Sequence, residues 1–163
     1  MTGQPITECM FCMIVRGDAA AHTVWQDCEH LALLSIYPNT VGTTVVITKK
    51  HYSSYVAALP EKVSSGLFRA ACKVALLLDS RLDDVERTGI VFEGFGVDHA
   101  HAKLFPMHGT ADIAIWRPIK SRVDKFFDHY EGYLSSHDYR KADDSNLERL
   151  ARRLRDTSTE PAD

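Results

Sequence analysis

Apolar positions follow two kinds of pattern along the chain. Thr23–Gln26 (Thr-Val-Trp-Gln) and residues 31–34 (Leu-Ala-Leu-Leu) are short apolar runs on either side of the polar turn 27–30, and residues 43–48 (Thr-Thr-Val-Val-Ile-Thr) form a third. Their β-branched and aromatic content predicts three strands joined as an antiparallel meander. From residue 60 to 82 the period changes: Val63, Leu67, Ala70, Val74, Leu77 and Leu78 recur at three- and four-residue spacing. That spacing predicts one long helix, with Pro60 in its first turn. Residues 89–92 and 99–105 return to strand-like runs, separated by Gly94 and Gly96. The order β-β-β-α-β-β predicts an α+β fold built on a five-stranded, mainly antiparallel sheet.

Past residue 108 the composition shifts. Residues 121–133 predict a helix, and residues 144–154 predict an amphipathic one with Leu147, Leu150, Ala151 and Leu154 on one side and arginines on the other. No Pro/Gly/Ser linker divides the chain before that point, so residues 1–163 are expected to be a single domain. Residues 9–108 would be its core and 109–163 a C-terminal helical extension packed on it, with a partner-binding or dimer-forming arm as the alternative.

With 45% hydrophobic and 25% charged residues in 163, the chain can bury a core, which excludes wholesale disorder. Its net charge of −3 and pI near 6.2 argue against a dedicated nucleic-acid binder. Residues 1–8 lack the basic and apolar regions of a secretory signal, and the longest uncharged stretch, 31–48, is broken by Pro38, Asn39 and Gly42. A cytoplasmic protein with no membrane segment is therefore expected. In that setting Cys9, Cys12, Cys28 and Cys72 are thiols or metal ligands rather than disulfides. Cys28 and Cys72 read as buried apolar fillers.

Two motifs carry chemistry. On a strand, His99, His101 and Lys103 would share one face at about 6.5–7 Å spacing. Such a row suits phosphate chemistry, since imidazole can act as nucleophile or acid/base near neutral pH and an ammonium holds an anion as a point charge. The preceding glycines let backbone N–H groups approach the same anion. An exposed polar strand face is the competing reading. The second motif, Cys9-Met10-Phe11-Cys12, has the spacing of half a zinc site, for which His51 and His99 are the candidate remaining ligands. A redox Cys-x-x-Cys is the alternative, but no preceding strand or βαβ pattern accompanies it. The other histidines, His22, His30, His108, His129 and His137, read as surface or loop residues.

Residues 9–18 (Cys-Met-Phe-Cys-Met-Ile-Val-Arg-Gly-Asp), 45–51 (Val-Val-Ile-Thr-Lys-Lys-His) and 99–106 (His-Ala-His-Ala-Lys-Leu-Phe-Pro) together resemble the bacterial, zinc-bearing type of the histidine triad (HIT) family of nucleotide hydrolases and transferases. The resemblance spans about residues 9–108 and implies a homodimer in which the two five-stranded sheets join across the two-fold. It implies that His101 is the nucleophile that attacks the α-phosphate, that His99 supports it, and that Cys9, Cys12, His51 and His99 hold a structural zinc. By position, Phe11 and Ile14 would line the base pocket, Ser35 would meet the ribose hydroxyls, and Phe95 and Gly96 would lie near phosphate.

The sequence also departs from the family. Lys103 stands for the third histidine, Ser35 for the ribose Asp or Asn, Thr43 for a His that often follows the glycine, and Met107 for an Arg. The implied activity is hydrolysis of a dinucleoside polyphosphate or related adenylyl conjugate through a nucleotidyl-histidine. A transferase or phosphorylase, and a nucleotide-binding protein with weak turnover, are the alternatives. A zinc adaptor is a further one, but it leaves the His-x-His strand unexplained. The resemblance leaves open whether a divalent ion accompanies the substrate.

Overall fold

The computed structural model describes residues 9–111, 118, 122 and 126–130. The chain forms two compact units, Met1–Trp116 and Arg117–Asp163, and residues 9–111 belong to the first. In chain order the elements are α1 (Met10–Arg16), β1 (Thr23–Gln26), β2 (His30–Leu34), β3 (Thr44–Thr48), a short 3-10 turn (Val56–Ala58), α2 (Glu61–Arg81), β4 (Val85–Val91) and β5 (His101–His108). The five strands make one antiparallel sheet in the order β1-β2-β3-β5-β4. The expected α+β class and five-stranded sheet are thus observed, and β5, the last strand in sequence, sits inside the sheet.

The sheet is covered on both faces, which explains why β2 and β3 read as apolar runs without alternation. Ala32, Val46, Ala102 and Leu104 point to α2, where Leu67, Ala70, Ala71, Val74, Ala75 and Leu78 are buried against them. Alanines on both surfaces remove the side-chain bulk that would keep helix and sheet apart. The other face carries Leu31, Leu33, Val45 and Ile47, packed by Phe11, Ile14 and Val15 of α1.

Several boundaries differ from expectation for identifiable reasons. Pro60 precedes α2 as its N-cap rather than entering the first turn, with ψ 138 and its carbonyl accepting from Val63 and Ser64 N–H at 2.8 and 3.1 Å. α1 was not foreseen, although Gly17, at φ 82, closes it with N–H to the Ile14 carbonyl, and a glycine after an apolar run is a C-terminal signal. β4 begins at Val85, four residues before the expected start, because the polar Glu86 and Arg87 of that edge strand hide it in the sequence. β5 begins only at His101: His99 N–H bonds the Val97 carbonyl at 2.8 Å and Ala100 N–H bonds Tyr52 O at 2.9 Å, so both are held outside the strand.

Two cysteine and histidine expectations also change. Cys28 is exposed and Cys72 half-buried. Asp27 Oδ1 accepts from the N–H groups of Glu29 and His30 at 2.8 and 2.6 Å, a tight turn whose tip is Cys28, while His30 is buried with its Nδ1 on the same carboxylate. In the second unit, residues 126–130 are not helical, and Asp128 accepts from His129 Nδ1 at 2.7 Å. The remainder of the expected 121–133 helix, and the whole of 144–154, lie outside the described residues, apart from the isolated residue 122.

At the far end of β5, His108 donates through Nε2 to the Val41 carbonyl at 2.9 Å and through Nδ1 to Asp84 at 2.8 Å. Both acceptors favour the imidazolium, first the carbonyl and then the carboxylate, so the His108 pKa is raised; the same pairing lowers that of Asp84. A raised histidine pKa gives stabilisation that is complete below the unfolded value, about 6.5, and lost as pH rises through the folded value. The lowered carboxylate sets the other limit: its share is present above the unfolded value of about 4 and lost as pH falls. His108→Ala should therefore lower the melting temperature more at about pH 5.5 than at about pH 8.5. Equal losses at both pH values in thermal unfolding would refute this clamp.

Candidate functional site

Helix α1 builds half of the site. Cys9 is its N-cap and Cys12 lies one turn on, and the apolar seat of Phe11, Ile14 and Val15 on the sheet fixes where both thiols point. They meet His51, just after β3, and His99, just before β5. Cys9 Sγ lies 3.4 Å and Cys12 Sγ 3.6 Å from His99 Nδ1, and Cys12 Sγ lies 3.4 Å from His51 Nδ1. All four ligand atoms fall within 4.8 Å of one another, and this is the metal-ligating cluster found among the described residues. Metal–sulfur and metal–nitrogen bonds of about 2.3 and 2.0 Å in a tetrahedron imply S···N edges near 3.5 Å. Three of the four S···N edges already lie at 3.4–3.6 Å, so the donor set fits a tetrahedral ion.

The histidine ligand is oriented from behind. His99 Nε2–H donates to the Thr48 carbonyl at 2.7 Å, which leaves Nδ1 as the bare lone pair facing the thiols. Burial is the first cause that lowers the His99 pKa; the Thr48 carbonyl and Asp98 pull upward and His51 and His101 push down, and the net shift is downward, so the ring is neutral near pH 7. Burial likewise raises the Cys12 thiol, and Cys9 pushes it the same way. A bound cation would have to displace those thiol protons.

His101 sits beside this cluster. Its Nδ1–H donates to the backbone carbonyl of His99 at 2.7 Å, which fixes the tautomer and leaves Nε2 unprotonated. The residue is only 2% exposed, and burial is the first cause that lowers its pKa. The His99 carbonyl and Glu93 pull upward, whereas Lys103 pushes further down. Phe11 meets both histidine rings edge-on, with centroids 5.7 Å from His99 and 5.6 Å from His101. A neutral imidazole with one nitrogen tied and the other bare is the form needed for nucleophilic attack.

The expected basic row is therefore modified. His101 and Lys103 share the α1 face of β5, opposite Ile47 and Val45, but His99 precedes the strand and its ring belongs to the cysteine cluster. Lys103 is ion-paired with Glu93, a residue that sequence reasoning missed. No motif marks it: Glu93 lies two residues beyond Val91, which pairs with Lys103 across β4 and β5.

The remaining predicted residues are spread around this centre. Ser35 follows β2 on the face of Leu31 and Leu33; its N–H bonds Thr43 O at 2.8 Å and its Oγ accepts from Tyr37 N–H at 3.2 Å. Phe95 is 60% exposed in the β4–β5 loop, next to Gly96 at φ 95, a conformation that glycine adopts without strain. Asp98 anchors that loop by accepting from Ser54 N–H at 2.9 Å. Ile14 lines a cleft of about 370 Å³ with Val15, Ala21 and Leu31, but Phe11, Ser35 and His101 do not line it. A second cleft, of about 230 Å³, lies on the other side between Lys50, Lys62 and Gly66. The structure thus brings together Cys9, Cys12, His51, His99, His101, Phe11 and Lys103, with Ser35 just past β2 and Phe95 and Gly96 on the β4–β5 loop.

An antiparallel α+β sheet carrying a buried, carbonyl-oriented His-x-His pair beside a Cys-Cys-His-His cluster defines a histidine-triad type of protein. Known proteins agree. A HIT-like protein of Mycobacterium tuberculosis is 38% identical over 121 residues, covering 71% of this chain and 83% of that one. The protein hit of Bacillus subtilis is 29% identical over 116 residues, covering 68% and 79%. Among solved structures, a zinc-bound histidine triad family protein from Mycobacterium smegmatis matches with a TM-score of 0.60 at 25% identity, covering 70% of this chain and 85% of that one. A HIT family protein from Bacillus anthracis matches with a TM-score of 0.60 at 26% identity, covering 94% and 96%. No family model matches the chain. On the tuberculosis relative's identity and coverage, the chain belongs to the HIT family.

Proposed function

We propose that the chain is a nucleotide-conjugate hydrolase that works at the α-phosphate through a nucleotidyl-histidine on His101. The observation that carries this reading is the bond from His101 Nδ1–H to the His99 carbonyl on a buried, neutral ring. The Nε2 lone pair attacks the α-phosphorus, an N–P bond forms, and the P–O bond to the leaving phosphate breaks with its electron pair. Water oxygen then bonds to phosphorus, the N–P electrons return to Nε2, and the water proton passes to solvent. Lys103 stabilises charge on the phosphoryl oxygens, and the backbone of Phe95 and Gly96 approaches the same group. Phe11 and Ile14 flank the base, and Ser35 donates its hydroxyl hydrogen to the ribose, a dinucleoside polyphosphate or other adenylyl conjugate being the substrate class.

Cys9, Cys12, His51 and His99 would hold a structural zinc, supported by the tetrahedral S···N edges and the zinc-bound mycobacterial relative. Filled by four protein ligands, it would supply rigidity to α1 and to the His99 backbone. Two chains would pair through an open sheet edge: β1 is four residues long and β4 seven, each with one register irregularity. The described residues contain no helix long and apolar enough to cross a membrane, and the proposed setting is cytoplasmic with no nucleic-acid partner. A nucleotide-binding protein with weak turnover is the second reading, favoured by one observation, the Lys103–Glu93 pair that occupies the ammonium.

His101→Ala should reduce turnover of diadenosine polyphosphates by at least about a thousandfold while changing mononucleotide affinity by less than about threefold. Turnover at the wild-type rate would refute the assignment. Elemental analysis of protein purified without chelator should give about one zinc per chain, and Cys12→Ser or chelation should lower the melting temperature; metal-free protein of undiminished stability would exclude the structural zinc. Sedimentation at micromolar concentration should show a dimer, and a monomer would rule out the shared sheet.

A further inference from the structure

We propose that Glu93 is a positioning residue: it holds the Lys103 ammonium beside His101 and cancels its charge until an anionic phosphate takes over the contact. The inference rests on the reading of His101 and Lys103 just given, and it adds a group that the family's three-histidine pattern does not contain.

Two observations support it. Glu93 lies two residues past Val91, the last residue of β4 and the partner of Lys103 in the sheet, and its carboxylate reaches the Lys103 ammonium. The pair is shielded from solvent, with side-chain exposures of 13% for Glu93 and 33% for Lys103, so its charges are less screened than those of a surface pair. A histidine in place of Lys103 would be neutral for most of the physiological range, whereas lysine brings a permanent charge to a half-buried position, where an unpaired ion is costly. Glu93 removes that cost. It also sets a condition on the ligand: with the carboxylate on the ammonium, a phosphate gains the Lys103 contact only by drawing the ammonium away from Glu93 or sharing it.

The two charges therefore have distinguishable effects on an anion. Removing Lys103 alone takes away the ammonium and keeps the Glu93 carboxylate that held it, so the loss of affinity should exceed that of losing one donor. Removing both restores neutrality. Adenosine monophosphate is the probe, titrated calorimetrically into the full-length wild type, Glu93→Gln, Lys103→Ala and the double variant, each checked for its melting temperature.

Lys103→Ala should weaken binding by about tenfold to a hundredfold, the double variant should return to within about threefold of wild type, and Glu93→Gln alone should bind more tightly than wild type. With a diadenosine polyphosphate, Glu93→Gln should lower KM and kcat together, because the ammonium is freer to bind phosphate but no longer aimed. Equal affinities in all four proteins, or a double variant as weak as Lys103→Ala, would overturn the proposal, and so would failure of the wild type to bind. If Lys103→Ala does not fold, the comparison of Glu93→Gln and the neutral double variant with wild type still decides: no tightening in the first, or a large loss in the second, refutes it. Absence of turnover with this binding pattern intact would instead count against the hydrolase reading alone.

Discussion

The site depends on His99 being fixed at both ends. Its ring donates to the Thr48 carbonyl and turns its other nitrogen to two thiols, while its own carbonyl receives the Nδ1–H of His101. One residue thereby couples the cysteine cluster to the tautomer of the neighbouring histidine. A rotation of the His99 peptide would disturb both, and the surrounding bonds oppose it: His99 N–H is tied to Val97 O and Ala100 N–H to Tyr52 O. The chain leaves regular strand geometry at this point so that a side chain and a carbonyl of the same residue can serve different partners.

The sheet supplies the rest of the constraint by separating two tasks onto two faces. The α2 face is a core of small and aliphatic residues, and the α1 face carries the histidines, the ion pair and the apolar seat of the cysteine-bearing helix. Period-two alternation along β5 sends Ala102 and Leu104 into the core and His101 and Lys103 to the site. A one-residue slip of β5 would bury the charged residues under α2 and expose the alanine and leucine, a large penalty that pins the register.

Most of the architecture was legible because α2 and the inner strands carry strong periodic signals. Helix α1 was not, since seven residues are too few for a periodic pattern and only Gly17 marks its end. The cluster of Cys9, Cys12, His51 and His99 was readable from ligand type and spacing. Glu93 was not, because its role depends on strand register rather than on any motif. His99 was placed one step wrongly, on the strand rather than before it, because sequence alternation does not reveal a backbone that turns to bond locally. The exposed Cys28 and buried His30 reversed their usual environments for a similarly local reason, the turn organised by the Asp27 carboxylate.

The position of β5 bears on how the molecule comes into being. β1, β2 and β3 can pair as the chain is made, and α2 can form on its own residues, but β4 pairs only with β5, and β5 must slot between β4 and a β3 made more than fifty residues earlier. Its contacts therefore close the longest loops in the described core and carry the largest closure entropy, the part of a fold that sets the pace. The strand that bears His101 and Lys103 is also the one that joins the two halves of the sheet, so the candidate site is assembled only at the step that completes the sheet.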